Sequence, residues 1–157
     1  MALVFYTDGS CKSNGNPNSH GGFGIVLIDT TNNSILWEYQ EFKSPTTNNE
    51  MELMAILKAM EYGKNMFVRP IIYTDSAYCA NIINSWMFSW ARNGWVRPKN
   101  QEIKNLNIIQ KIYELAPLYT VQKVPGHAGV FGNEIADKLA TGERVANPNL
   151  GKVLNNA

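Results

Sequence analysis

Leu3-Val4-Phe5-Tyr6-Thr7-Asp8-Gly9-Ser10 and Ile71-Ile72-Tyr73-Thr74-Asp75-Ser76 carry the same tripeptide, Tyr-Thr-Asp, after a short apolar run. Runs rich in β-branched and aromatic side chains, bounded by turn formers, read as buried strands. Each Asp is therefore expected where a strand ends. Two such strands lying parallel would bring both carboxylates to the carboxyl edge of a sheet, where open α/β folds bind their ligands. Acids placed together repel unless positive charge lies between them, and a divalent cation with oxygen ligands meets that need.

The rest of the chain suits such a sheet. Its 157 residues are 45% apolar and 17% charged, values of one globular domain with a real core. No apolar run approaches the length of a membrane span. The N-terminus enters a strand with neither a basic n-region nor an apolar h-region, so no signal peptide is expected. Cys11 and Cys79 fit reduced, packed thiols, and the expected compartment is cytoplasmic. The net charge of +1 says little, but Arg92, Arg97, Lys99 and Lys104 face a single acid, Glu102, between Trp86 and Asn105.

The pattern predicts strands over 2–7, 23–28 and 35–40, the last from the alternation of Ile35, Trp37 and Tyr39 with Leu36, Glu38 and Gln40. Residues 8–22, dense in Gly, Asn and Ser, read as a loop. Thr46 to Asn49 supply capping residues for a helix over 48–62 with Leu53, Met54, Leu57 and Met60 on its core stripe, stopped by Gly63. A strand follows at 71–74, then a broken helix over 77–89 and a loop over 91–100. Ile103, Leu106, Ile109, Ile112 and Tyr113 recur at helical spacing until Pro117. A strand over 119–124, a loop over 125–129 and a helix over 131–144 complete the order β-β-β-α-β-α-α-β-α. This is an α/β fold: a mixed five-stranded sheet, three antiparallel strands then two parallel, flanked by helices. Residues 1–146 read as one domain, and 147–157 as a flexible tail with little to bury.

Four more residues could join Asp8 and Asp75. Glu52 interrupts an apolar stretch, Met51-Glu52-Leu53-Met54-Ala55-Ile56. Glu134 and Asp137 are three apart and share a helix face. His127 sits in Pro125-Gly126-His127-Ala128-Gly129, a loop that can present an imidazole. Singly, each has a plainer reading: helix cap for Asp75, turn for Asp8-Gly9, solvated helix faces for Glu52, Glu134 and Asp137, an exposed loop for His127.

Together they resemble one family. Tyr6-Thr7-Asp8-Gly9-Ser10-Cys11, Thr46-Thr47-Asn48-Asn49-Glu50-Met51-Glu52-Leu53, Tyr73-Thr74-Asp75-Ser76, Pro125-Gly126-His127-Ala128-Gly129 and Gly132-Asn133-Glu134-Ile135-Ala136-Asp137 resemble the motifs of type 1 ribonuclease H, in order, across about residues 2–146. Each is weak alone; five in sequence are specific. The resemblance implies the ribonuclease H-like fold. It also implies an endonuclease that hydrolyses the RNA strand of an RNA–DNA hybrid, leaving 5′-phosphate and 3′-hydroxyl ends. Two Mg²⁺ ions, with Mn²⁺ as substitute, would be held by Asp8, Glu52, Asp75 and Asp137, while Glu50 falls two residues off the motif. Two metals about 3.5–4 Å apart can activate water on one side of the phosphorus and stabilise the leaving oxygen on the other. His127 and Glu134 would play secondary catalytic roles, the histidine as a proton carrier or an aid to product release.

By the same resemblance Cys11, Asn14, Asn48 and Asn49 contact the hybrid, with the 2′-hydroxyls as the mark of RNA. Thr47 and Asn105 grip a phosphate of the DNA strand. Trp90, with Trp86, Trp95 and the four bases around them, lies where relatives carry a basic handle, here a thin one; aromatic rings beside cations suit a nucleic-acid strand. The expected partner is the hybrid, the protein itself a monomer. Alternatives are a non-catalytic hybrid-binding module, another nuclease of the same superfold, or a domain from a reverse transcriptase. The complete acid set, the Pro-Gly-His-Ala-Gly and Thr-Asn-Asn-Glu-Met-Glu stretches and the start at Met1 weigh against these in turn.

Overall fold

The computed structural model describes residues 2–124 and 131–150. The strands are β1 (Leu3–Lys12), β2 (His20–Asp29), β3 (Ser34–Lys43), β4 (Ile71–Thr74) and β5 (Val121–Lys123). The helices are α1 (Asn48–Gly63), α2 (Ala77–Asn81), α3 (Met87–Arg92), α4 (Leu106–Leu115) and α5 (Phe131–Thr141). One sheet runs β3-β2-β1-β4-β5, antiparallel from β3 to β1 and parallel from β1 to β5. This is the mixed five-stranded sheet expected.

Two hydrophobic cores follow from strand alternation. Phe5, Phe23, Ile25 and Leu27 face α1 and α4, meeting Leu53, Ile56, Met60 and Ile109. Val4, Val26 and Ile28 face α5, meeting Ile135, Ala136 and Leu139. Thr47 starts α1 as its N-cap, its hydroxyl accepting from the Glu50 N–H at 3.1 Å. The expected break in the helix after β4 is a π-helical turn, Ile82–Trp86, which joins α2 to α3 without interruption.

Several boundaries differ from the sequence reading. The stretch 8–22 is mostly strand: β1 continues to Lys12 and β2 begins at His20, leaving only 13–19 as a turn. Asp8 therefore lies within β1, at the point where parallel pairing with β4 stops. The fourth main helix begins at Leu106 rather than Ile103, the last ends at Thr141, and β5 is only three residues long. In β3, a register shift opposite Leu27/Ile28 breaks the alternation. Trp37 and Tyr39 pack on the α1 side, while Ile35 packs on the α5 side.

Glu38 and Gln40 do not face water as a half-exposed strand would require. Glu38 is buried; its Oε1 accepts from the Arg144 guanidinium and its Oε2 from the Asn147 N–H at 3.2 Å. The Gln40 amide donates to the Leu139 and Arg144 carbonyls and accepts from the Ala146 N–H. Residues 144–147 are thereby strapped across β3, and the expected tail is docked at its first residue; 151–157 lie outside the described residues. Removing one partner of a buried ion pair leaves the other's groups unsatisfied. Arg144 is partly exposed, which moderates the loss. Glu38→Ala is expected to lower the urea-unfolding free energy by about 1–3 kcal/mol. An unchanged urea midpoint would show the strap to be energetically neutral.

Candidate active site

The two Tyr-Thr-Asp copies lie side by side. Tyr6 pairs with Tyr73 and Thr7 with Thr74 in the parallel ladder, and the tyrosine rings stack with centroids 5.3 Å apart. Thr7 is fully buried, and its hydroxyl donates to the Tyr73 carbonyl at 3.0 Å. Thr74, also fully buried, accepts from the Ser76 N–H at 3.1 Å. Ser76 then caps α2 by accepting from the Cys79 N–H. Both threonines spend their hydroxyls on neighbouring backbone, and the next residue of each strand, Asp8 or Asp75, is delivered to the same edge.

Glu52 reaches that edge from α1. Oxygens of Asp8, Glu52 and Asp75 lie within 4.8 Å of one another. Asp8 and Glu52 are buried, and Asp75 is exposed. Asp8 accepts from the Gly9 N–H at 2.9 Å, whereas Glu52 Oε2 is buried without a hydrogen-bond partner. Burial first, and then the charges of Glu52 and Asp75, push the Asp8 carboxyl far above the usual range. Glu52 is also raised, chiefly by burial. An orphaned buried carboxylate oxygen among converging acids fits an oxygen-loving divalent cation.

α5 closes the other side. Asp8, Asp75, Asn133, Glu134, Asp137 and Lys138 line an open cleft of about 460 Å³. Asp137 lines this cleft with Asp8 and Asp75, so the fourth expected carboxylate faces the same space, outside the tight cluster of the other three. Glu134 lines the same cleft. His127 belongs to the stretch outside the described residues. Asn133, whose Oδ1 is buried without a partner, and Lys138 line the cleft with no role assigned from sequence. The signal for both was available, since they flank Glu134 and Asp137 on one helix.

The residues expected to meet nucleic acid divide into two groups. Cys11, Asn14, Thr47, Asn48 and Asn49 gather where the 13–19 turn meets the start of α1. The Asn48 N–H donates to Asn14 Oδ1 at 3.0 Å, and Cys11 Sγ donates to the Thr46 carbonyl at 3.4 Å. Glu50, set aside as off-motif, is held instead by Thr46 and by Lys43, the latter at 2.5 Å. The second group lies across the helices. Tyr78, Trp86, Trp90, Arg97, Ile103 and Lys104 line a cleft of about 300 Å³. Trp86 is 41% exposed, while Trp90 is half-buried and packed on the main core, so the pair serves surface and packing at once. Trp95 turns inward, edge-on to Tyr113. Asn105 adopts a left-handed conformation at the start of α4, and its side chain does not cap that helix. Among the described residues no helix is long and apolar enough to cross a membrane. Cys11 and Cys79 are free thiols, the latter buried.

The family model described as RNase H matches residues 1–144. A ribonuclease H of Jannaschia sp. is 42% identical over 143 residues, covering 88% of each chain. One of Francisella philomiragia is 41% identical over 140 residues, again covering 88% of each. The foamy viral protease–reverse transcriptase solved with an RNA/DNA hybrid superposes with a TM-score of 0.79 at 28% identity, over 88% of this chain and 19% of that one. The solution structure of the PFV RNase H domain superposes with a TM-score of 0.76 at 29% identity, over 88% of this chain and 91% of that one.

Proposed function

The chain belongs to the ribonuclease H family, a divalent-metal-dependent endonuclease family that hydrolyses the RNA strand of RNA–DNA hybrids, and we propose that its metal site is the Asp8–Glu52–Asp75–Asp137 cluster holding two Mg²⁺ ions. One observation carries this assignment: the Asp8, Glu52 and Asp75 oxygens within 4.8 Å of one another, with Glu52 Oε2 buried and unpartnered. Bound Mg²⁺ supplies Lewis-acid activation of a water and charge stabilisation at the leaving oxygen.

The chain's own residues do the rest. Asp8 and Glu52, fixed on buried backbone, hold the inner side of the site; Asp75 and Asp137 close it toward solvent. Glu134 on the rim of the cleft and His127 carry protons to and from bulk water. Asn14, Asn48 and Asn49, with Cys11, meet the RNA strand across the minor groove, where 2′-hydroxyls distinguish it from DNA. Thr47 keeps its O–H as a donor after capping α1, and with Asn105 it holds a phosphate of the DNA strand. Trp90 and the cations Arg97 and Lys104 lie against the same strand farther along. We take the protein to act as a monomer in the cytoplasm, a reducing compartment that the free thiols of Cys11 and Cys79 suit.

The test is cleavage of a labelled RNA–DNA hybrid and of an RNA duplex, each with Mg²⁺, Mn²⁺ or EDTA. The hybrid's RNA is expected to be cut to 5′-phosphate and 3′-hydroxyl ends with metal only, and the RNA duplex left intact. A hybrid left whole with both metals overturns the assignment. Asp137→Asn is expected to lower kcat by at least about 10²-fold, because one of the four carboxylates that would hold the metal is lost. Turnover within twofold of wild type would remove Asp137 from the site.

A further inference from the structure

Ser19 has no place in the chemistry above, yet it is 1% exposed in a turn of otherwise exposed residues. Its hydroxyl donates to the Thr46 carbonyl at 2.8 Å and accepts from the Thr46 N–H at 3.0 Å. Its own carbonyl accepts from the Ser44 hydroxyl at 2.8 Å. One side chain thus satisfies both backbone groups of Thr46, the residue before the N-cap of α1. These bonds join the end of the 13–19 turn to the segment that launches α1. At the start of that turn, Asn14 Oδ1 accepts from the first residue of α1, Asn48. The turn is therefore fastened at both ends to the start of one helix.

This fixes what Asn14 offers a ligand. One lone pair of its oxygen is committed to the Asn48 N–H, which orients the amide and leaves its NH₂ group free as a donor beside the oxygen's second lone pair. We infer that Ser19 is a positioning residue for RNA recognition: its clasp on Thr46 holds the 13–19 turn so that Asn14 presents that donor in line with Asn48 to the 2′-hydroxyls of the RNA strand. This rests on the reading that Asn14 and Asn48 contact RNA. Without the Ser19 hydroxyl, the Thr46 N–H loses its partner and the Thr46 carbonyl keeps only the weak Cys11 thiol, a state that favours opening of the turn to water. The carboxylates proposed to bind metal sit on β1, on α1, just after β4 and on α5, outside the turn, and are left in place.

Ser19→Ala is expected to raise KM for the hybrid about 5–20-fold with kcat retained. The Mg²⁺-induced rise in melting temperature should match wild type. The penalty for 2′-deoxy nucleotides placed beside the cut, large for wild type, should shrink in Ser19→Ala. In the Asn14→Ala background, Ser19→Ala should add little, giving a strong coupling in the double-mutant cycle. Additive effects, or an unchanged KM in Ser19→Ala beside a raised one in Asn14→Ala, overturn the inference alone. No effect of Asn14→Ala on KM or on the 2′-deoxy penalty overturns the reading beneath it. Should Ser19→Ala fail to fold, Ser44→Ala removes only the outer bond of the clasp and is expected to show the same pattern at smaller size; its absence would be equally decisive.

Discussion

Asp8→Asn is expected to abolish hybrid cleavage and, in the same molecule, to raise the melting temperature of the metal-free protein. The first effect follows from losing a buried carboxylate at the centre of the proposed metal site. The second follows from the cost of keeping that carboxylate without a cation. Burial and the neighbouring charges of Glu52 and Asp75 raise the Asp8 carboxyl above its unfolded value. A raised acid holds its proton in the folded state at a pH where the unfolded chain has lost it. The unfolded state then binds fewer protons, and stability falls as pH climbs above the unfolded carboxyl value of about 4. Asparagine has no such ionisation, and its oxygen can still accept from the Gly9 N–H. At pH 7 without metal, the variant should gain on the order of 1–2 kcal/mol, or about 3–6 °C. The gain should shrink toward pH 4. Adding Mg²⁺ should stabilise wild type more than the variant, narrowing or reversing the order. A variant that melts below wild type in EDTA at pH 7 would show that the acids repel too weakly to matter.

This tension between stability and chemistry was half legible in the sequence. Tyr-Thr-Asp at the end of two apolar runs identified the strands, and the structure pairs the two copies in register through Tyr6–Tyr73 and Thr7–Thr74. Glu52 stood out because a carboxylate amid Met51, Leu53 and Ile56 needs a purpose. Other features were hidden because they depend on contacts between distant residues. Residues 8–22 read as loop because glycine, asparagine and serine usually mark turns. Here Gly9, Gly21, Gly22 and Gly24 lie in β1 and β2, and a Cβ at Gly9 or Gly24 would strike a helix. Composition does not tell a glycine chosen for conformation from one chosen for clearance. Glu38 and Gln40 gave no sign that residues about a hundred positions later would cover them. The Ser19–Thr46 clasp likewise joins two segments through a single hydroxyl.

Clearance at Gly9 leads to the other large effect, expected for Gly9→Ala. A Cβ there would stand 2.4 Å from the Glu52 nitrogen, 2.6 Å from the Met51 carbonyl carbon and 2.9 Å from the Glu52 Cα. All three are backbone atoms of α1, so no rotamer change relieves the contact; the helix itself has to move off β1. Gly9 follows Asp8 in the chain and touches Glu52 through space, so that movement separates the two buried carboxylates proposed to hold the metal. Overpacking of this kind costs about 1–3 kcal/mol and more where backbone is displaced, and misplacing a reacting group by about 1 Å costs about 10²-fold in rate. Gly9→Ala is therefore expected to lose at least about 10²-fold in kcat, to unfold at lower urea, and to show a reduced Mg²⁺-induced rise in melting temperature. Gly24→Ala separates these outcomes. Its Cβ would meet the Ala136 carbonyl oxygen at 2.5 Å and the Ala140 nitrogen at 2.8 Å, driving away α5 and with it Asp137. That variant should lose stability comparably while keeping the Asp8–Glu52 pair intact, and so retain more of its Mg²⁺ response. An equal Mg²⁺ response in the two variants would mean that α1 and α5 shift together, and that the close approach at Gly9 does not by itself set the spacing of Asp8 and Glu52.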